Sequence, residues 1–237
     1  MGSRLMKQSL RDEGLGRICI PIAETTVKDA IKAVKEANRF ADLIELRMDY
    51  LKEPELAILL KGRQKPFVVT NRRKEEGGKY WVHERRRVKI LEEAIDLGAE
   101  FVDVEIGTER SLLQSLITNK KGTQVILSFH NFQETPSQGE LKRLYERMAR
   151  WKPDLVKIVT FARSWEDNLR ILSLIPYARK KNQKILAFCM GEKGKMSRIF
   201  APLMGVVWTY ASLNRNRTSA PGQLTVYEMR DVWKRLK

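Results

Sequence analysis

The sequence predicts an α/β protein built as a single-domain (β/α)8 barrel. Three observations point there. Eight short, apolar, β-rich runs alternate with segments whose apolar residues recur at 3.6-residue spacing. The connections are short, with no linker between units, and such alternation implies a parallel sheet covered by helices. The length of 237 residues is near the roughly 250 typical of a closed eight-unit barrel. An open doubly wound sheet is the alternative, but its first turn is normally glycine-rich, and Pro21-Ile-Ala-Glu-Thr25 contains no glycine. The barrel is expected over residues 18–237. Residues 1–17 are polar and are read as a tail or short cap, with Met1-Gly-Ser3 set aside as a cloning scar.

The first strand is Ile18-Cys-Ile-Pro-Ile22. Thr25 or Thr26 can cap the helix that follows, carrying Val27, Ala30, Ile31 and Val34. Leu43–Met48 is the second strand, with a short helix after Pro54. Pro66–Thr70 is the third, followed by the polar loop Asn71–Gly78 and a helix that stops at Gly98, a natural C′ residue. Phe101–Glu105, Gln124–Ser128 and Leu155–Val159 are strands four to six, with Phe129-His-Asn-Phe132 read as a turn. Lys184–Phe188 and Gly205–Thr209 complete the set, and a last helix carries Met229, Val232, Trp233 and Leu236.

Composition narrows the function classes. No apolar run reaches membrane-spanning length, and the N-terminus lacks the regions of a secretory signal. Cys19 and Cys189 sit in apolar runs without Cys-x-x-Cys spacing, which reads as buried free thiols in a reducing cytoplasm. The two histidines, His83 and His130, have no ligand spacing, so no metal is expected. The net charge of +16 raises nucleic-acid binding as an alternative. The basic residues are, however, spread over the chain, including helix surfaces such as Arg85-Arg86-Arg87 and Arg179-Lys180-Lys181, and no nucleic-acid motif accompanies them. The preferred reading is a solvated cationic surface that also attracts anionic substrates.

In a barrel of this kind the active site lies at the C-terminal ends of the strands. Residues of one parity share a face. That collects Glu45, Arg47 and Asp49 from strand two, Thr70 and Arg72 from strand three with Glu76 in its loop, and Asp103 and Glu105 from strand four. Strand five adds Ser128 and His130, and strand six adds Lys157. Lys157 stands in a run apolar on both faces; burial there disfavours the ammonium, and a neutral amine can attack a ketone to form a Schiff base. Its plain alternative is a lysine snorkelling to the rim or pairing with a carboxylate. His130 is placed for acid–base work or for satisfying a loop carbonyl. Glu45 and Arg47 could be a structural ion pair, Asp103 and Glu105 look structural, and His83 reads as surface. Met190-Gly-Glu-Lys-Gly194 precedes a helix whose N-terminus suits an anion. Arg198 beyond it can clamp a carboxylate in a bidentate fork. Ser219-Ala-Pro-Gly-Gln223 offers two hydrogen-bonding side chains, or is simply a turn before the last helix.

From Ile18 onward these pieces together resemble type I 3-dehydroquinate dehydratase, a TIM-barrel family. They are Glu45-Leu-Arg-Met-Asp49, Arg72 through Glu76-Gly-Gly78, Ser128-Phe-His130, Val156-Lys157, Met190-Gly with Ser197-Arg198, and Ser219-Ala-Pro-Gly-Gln223. The resemblance implies that Lys157 forms an imine with the substrate ketone. It implies that His130 is the general acid/base, that Glu76 orients it, and that Arg198 holds the substrate carboxylate. Glu45, Arg47, Arg72, Ser219 and Gln223 would hold hydroxyls, the carboxylate or a closing loop. It also implies conversion of 3-dehydroquinate to 3-dehydroshikimate in the shikimate pathway, no metal or organic cofactor, and a homodimer. Family members often begin with a hairpin that closes the barrel bottom; polar residues 4–17 make it short or absent here. A class I aldolase of the same barrel type remains the rival enzyme. It also needs a lysine on strand six, but it cleaves C–C bonds and usually grips a phosphate.

Overall fold

The structure, a computed structural model, describes residues 16–79 and 83–236. Most of the expected tail or cap, residues 1–15, therefore lies outside the described residues. Eight strands are found among the described residues. They are β1 (Ile18–Ile22), β2 (Leu43–Arg47), β3 (Phe67–Thr70), β4 (Phe101–Glu105), β5 (Gln124–His130), β6 (Leu155–Phe161), β7 (Ile185–Met190) and β8 (Thr209–Tyr210). All pair in parallel in the order β7-β6-β5-β4-β3-β2-β1-β8. The ring is nearly closed: β7 and β8 share no backbone ladder, and the rings of Phe188 and Tyr210 bridge that seam with centroids 6.0 Å apart.

Helices α1 (Val27–Ala37), α2 (Leu56–Lys61), α3 (Glu84–Asp96), α4 (Arg110–Thr118) and α5 (Gln138–Ala149) follow β1 to β5 in turn. The sixth crossover is split into α6 (Glu166–Leu172) and α7 (Leu174–Arg179), then α8 (Lys195–Leu203) and α9 (Val226–Arg235) complete the outer layer. Thr26 caps α1 by accepting a hydrogen bond from Asp29 N at 3.1 Å. Reciprocal capping boxes start α5 at Ser137/Glu140 and α9 at Thr225/Glu228. Each helix turns its apolar stripe onto the sheet, as Leu141, Leu144, Tyr145 and Met148 do on α5.

The register sets which side chains enter the barrel, because partners on parallel strands face the same side. Glu105 pairs with Ser128, Ser128 with Lys157, and Lys157 with Leu186. These residues form one inward level. Below it Trp208 and Phe101 pack edge to face at 5.1 Å.

Several sequence-based boundaries shift. Strands β5 to β7 run two residues further than expected, so His130 and Met190 end strands instead of standing in turns. The eighth strand is not Gly205–Thr209. Gly205 adopts φ +102° just after α8, and only Thr209–Tyr210 pairs with β1.

Candidate active site

A cavity opens at the C-terminal ends of the strands, and Lys157 lies at its floor. The amine is buried, and it pairs with a carboxylate, the plain alternative that the apolar run left open. Lys157 Nζ donates to Asp103 Oδ2 at 2.8 Å and to Tyr210 Oη at 3.3 Å, and Glu45 Oε1 is 3.6 Å away. These groups reach across the barrel interior from β4, β8 and β2, none of which borders β6, and none is close to Lys157 in sequence.

Asp103 is itself held firmly. Its Oδ1 accepts from Ser128 Oγ at 2.6 Å, and its Oδ2 also pairs with Arg72 Nη2 at 2.9 Å. Burial works against the Asp103 charge, yet Arg72 and Lys157 hold its carboxyl well below the usual range. Arg72 donates onward to Glu105 Oε1 at 2.8 Å, and Glu105 Oε2 accepts from Arg87 Nη1 at 2.7 Å. Arg87 was expected on a helix surface. It is 2% exposed, reaches inward from α3, and pairs with Glu84 at 2.9 Å. Opposite charges therefore alternate from Lys157 through Asp103, Arg72, Glu105 and Arg87 to Glu84.

His130 projects from the end of β5, one inward step beyond Ser128. A short 3-10 turn, Lys74–Glu76, brings Glu76 beneath it. Glu76 Oε2 accepts from His130 N at 2.9 Å and lies 3.1 Å from Nδ1. The turn ends at Gly77 with φ +86°, where a Cβ would sit 2.4 Å from the Phe132 ring. A side chain there would be both strained and blocked. Burial, then Arg72 and Lys157, push the His130 imidazole well below its ordinary value, which leaves it neutral at pH 7. Burial and the nearby Glu105 push the Glu76 carboxyl up to about 8.

Arg198, on α8, is 1% exposed, and its guanidinium lies over the Phe188 ring, 4.8 Å from the centroid. No carboxylate pairs with it among the described residues, and its Nε lacks a hydrogen-bond partner. Burial pushes it down from 12.5 to about 10. A buried, unpartnered cation lining a cavity is a site for an anion. The start of α8 is less available: Ser197 N already donates to Asn168 Oδ1 at 3.1 Å.

The remaining expected residues line the same cavity in different states. Glu45 accepts from Thr70 Oγ1 at 2.9 Å. The Glu45–Arg47 ion pair considered from sequence does not form. Arg47 instead forks onto Asp49, with Nε and Nη2 at 2.9 and 2.8 Å. Asp49 also accepts from the backbone of Arg72 and Lys79, tying down the loop that carries Glu76. Ser219 and Gln223 close their loop on themselves, Ser219 N donating to Gln223 Oε1 at 2.9 Å. That loop docks on the β7 end through Gly191 N and Pro221 O at 3.1 Å. Gly222 allows the approach, since a Cβ on it would stand 2.1 Å from Gly191 O. His83 is exposed at the start of α3, as expected. Tyr210, Phe188 and Val159 also line the cavity and were not anticipated.

The family model for type I 3-dehydroquinase matches residues 18–237. A 3-dehydroquinate dehydratase of Methanococcus maripaludis (strain C7) is 36% identical over 219 residues, 92% of this chain and 98% of the relative. One from Pyrococcus abyssi is 39% identical over 217 residues, 92% and 97% of the two chains. Among solved structures, type I 3-dehydroquinate dehydratase from Clostridium difficile superposes with a TM-score of 0.84 at 27% identity, covering 94% of this chain and 93% of that one. The chain belongs to the type I 3-dehydroquinase family and is a hydro-lyase of that family.

Proposed function

We propose that this enzyme removes water from 3-dehydroquinate to give 3-dehydroshikimate through an imine between Lys157 and the substrate ketone. One observation carries the reading: an amine, a neutral imidazole and an unpaired buried guanidinium converge in a single cavity. Lysine chemistry needs a ketone, the imidazole a proton to move, and the guanidinium an anion. A keto-carboxylate meets all three needs. The Clostridium difficile relative, whose structure holds covalent modified comenic acid, is in keeping with a reactive group in the family site.

The substrate carboxylate docks on Arg198, which sets the ketone over Nζ. Lys157 sheds a proton, attacks the carbonyl carbon and loses the carbonyl oxygen as water. The resulting iminium draws electrons and acidifies the neighbouring C–H. Neutral His130 takes that proton, and Glu76 stabilises the imidazolium as it forms. The same proton then goes to the departing hydroxyl. Hydrolysis of the conjugated imine frees the product and restores the amine. Arg72 and Asp103 fix Nζ, while Arg47, Glu45, Ser219 and Gln223 border the ring hydroxyls. The net charge of +16 concentrates an anionic substrate at the mouth.

A place in the shikimate pathway, a cytoplasmic location and a homodimer belong to the same proposal. The first rests on the substrate and the second on the buried free thiols Cys19 and Cys189. For the dimer, light scattering should return twice the chain mass of 27.6 kDa. The chemistry is tested by borohydride reduction in the presence of 3-dehydroquinate, followed by mass mapping. An adduct on the Lys157 peptide, absent from Lys157→Ala, and enone absorbance from 3-dehydroquinate are expected. Turnover of sugar phosphates alone would favour the aldolase; salt-dependent binding of nucleic acid without turnover would favour the non-enzymatic alternative.

A further inference from the structure

We propose that the Tyr210 hydroxyl is a further catalytic residue, relaying a proton between Lys157 Nζ and the substrate oxygen while the imine forms and hydrolyses. The proposal rests on the imine reading above. Three groups surround Nζ: Asp103, Glu45 and Tyr210. The two carboxylates are committed elsewhere, Asp103 to Arg72 and Ser128, Glu45 to Thr70. Tyr210 is the only one of the three that carries a proton to give as well as a lone pair to receive one. It is 5% exposed, lines the cavity, and holds Nζ 3.3 Å from its oxygen and 4.6 Å from its ring centroid.

When Nζ adds to the ketone, nitrogen gains a positive charge and oxygen a negative one. Both atoms are bonded to the same carbon, so an oxygen within reach of Nζ is also within reach of the new alkoxide. Tyr210 accepts the N–H proton and gives its own proton to the alkoxide, which yields a neutral carbinolamine and an unchanged phenol. Loss of the hydroxyl as water follows: Tyr210 protonates the leaving oxygen as the nitrogen lone pair forms the C=N bond, and the proton that Lys157 shed before the attack restores the phenol, so the iminium keeps its N–H. No free phenolate need accumulate. That suits a phenol which burial and the Glu45 charge keep protonated well above the ordinary tyrosine range. His130 is thereby left for the carbon-bound proton and the departing ring hydroxyl. The two proton movements are assigned to different side chains on opposite sides of the amine's strand: β5 carries His130, and β8 lies beyond the seam.

The test is a quenched-flow experiment with 3-dehydroquinate, borohydride trapping and mass analysis of wild type and Tyr210→Phe. Phenylalanine keeps the ring against Phe188 and removes one oxygen. Imine formation in the variant should slow by about a hundredfold. Elimination should not slow, so the trapped adduct should shift from the substrate imine to the dehydrated imine, lighter by one water. As a second measurement, a proton inventory of wild-type imine formation in mixed light and heavy water should bow, because two protons move together. An unchanged rate of imine formation in Tyr210→Phe, or a linear inventory, would overturn the relay and leave the imine reading intact. Absence of any trapped adduct in the wild type would overturn both.

Discussion

Replacing Arg198 by methionine should stabilise the free protein and weaken substrate binding at once. Arg198 is 1% exposed, and burial alone moves its guanidinium from 12.5 to about 10. At 1.36 kcal/mol per pH unit, that gap makes the unsatisfied charge cost about 3 kcal/mol. Losing the cation–π contact with Phe188 returns about 1 kcal/mol, for a net gain of about 2 kcal/mol. Unfolding entropy of about 2.1 cal/mol/K per residue amounts to roughly 0.5 kcal/mol/K here, so Tm should rise by about 4 °C. The sign follows from linkage. A cation depressed in the folded state costs stability at every pH below about 10 and is relieved above it. The gain should therefore be present at pH 7 and shrink beyond pH 10. Binding moves the other way: loss of a desolvated partner for the carboxylate should raise KM by about a hundredfold, with a smaller change in kcat. Calorimetry of both proteins at pH 7 and kinetics by enone absorbance give the two numbers. A variant that melts at or below the wild type, or keeps its KM, would show that this guanidinium is neither strained nor the clamp.

The Glu76–His130 pair should leave a mark on the pH profile. His130 is a base at Nε2 only when Nδ1–H donates to an ionised Glu76, so kcat/KM should climb as pH rises through about 8 and level off above. Glu76→Gln should lose that limb, and a wild-type profile flat from about pH 6 to pH 9 would contradict the pairing. His130→Ala should still trap the adduct while elimination slows by about a thousandfold; full activity would remove it as the base. Arg87→Met strands a buried Glu105 oxygen and should cost about 3 kcal/mol, or roughly 6 °C in Tm. Adding Glu105→Gln should recover part of it, and purely additive melting shifts across the four proteins would deny the contact.

Much of the barrel was legible because strands covered on both faces read as continuous apolar runs. Seven runs could be placed from that signal alone. Their C-terminal ends were less visible, since strands such as β5 leave the apolar pattern as they enter the polar cavity: Phe129-His130 read as a turn although the ladder continues through it. The eighth strand was misplaced because Val206-Val207-Trp208 looks more strand-like than Thr209-Tyr210. Pairing with β1 decides the matter, and no local signal reports that pairing. The error hid Tyr210 from the list of site residues. Arg87 was misread for a related reason. It sits in a run of three arginines, and partners remote in sequence draw it inward: Glu105, Thr108 and the Asn71 carbonyl. The surroundings of Lys157 were likewise invisible: Asp103 is 54 positions distant. Sequence could show that a lysine was enclosed and leave pairing with a carboxylate open, but not which carboxylates enclose it.

The run of alternating signs from the amine to Glu84 sums to zero, three cations against three anions. Such a string tolerates exchange of neighbours far better than the deletion of one member, because an odd charge left behind has little solvent to spread into. Natural drift in this part of the barrel should therefore proceed by matched replacements. A helix on the outside of the molecule is bound into that co-variation with a nucleophile at its centre.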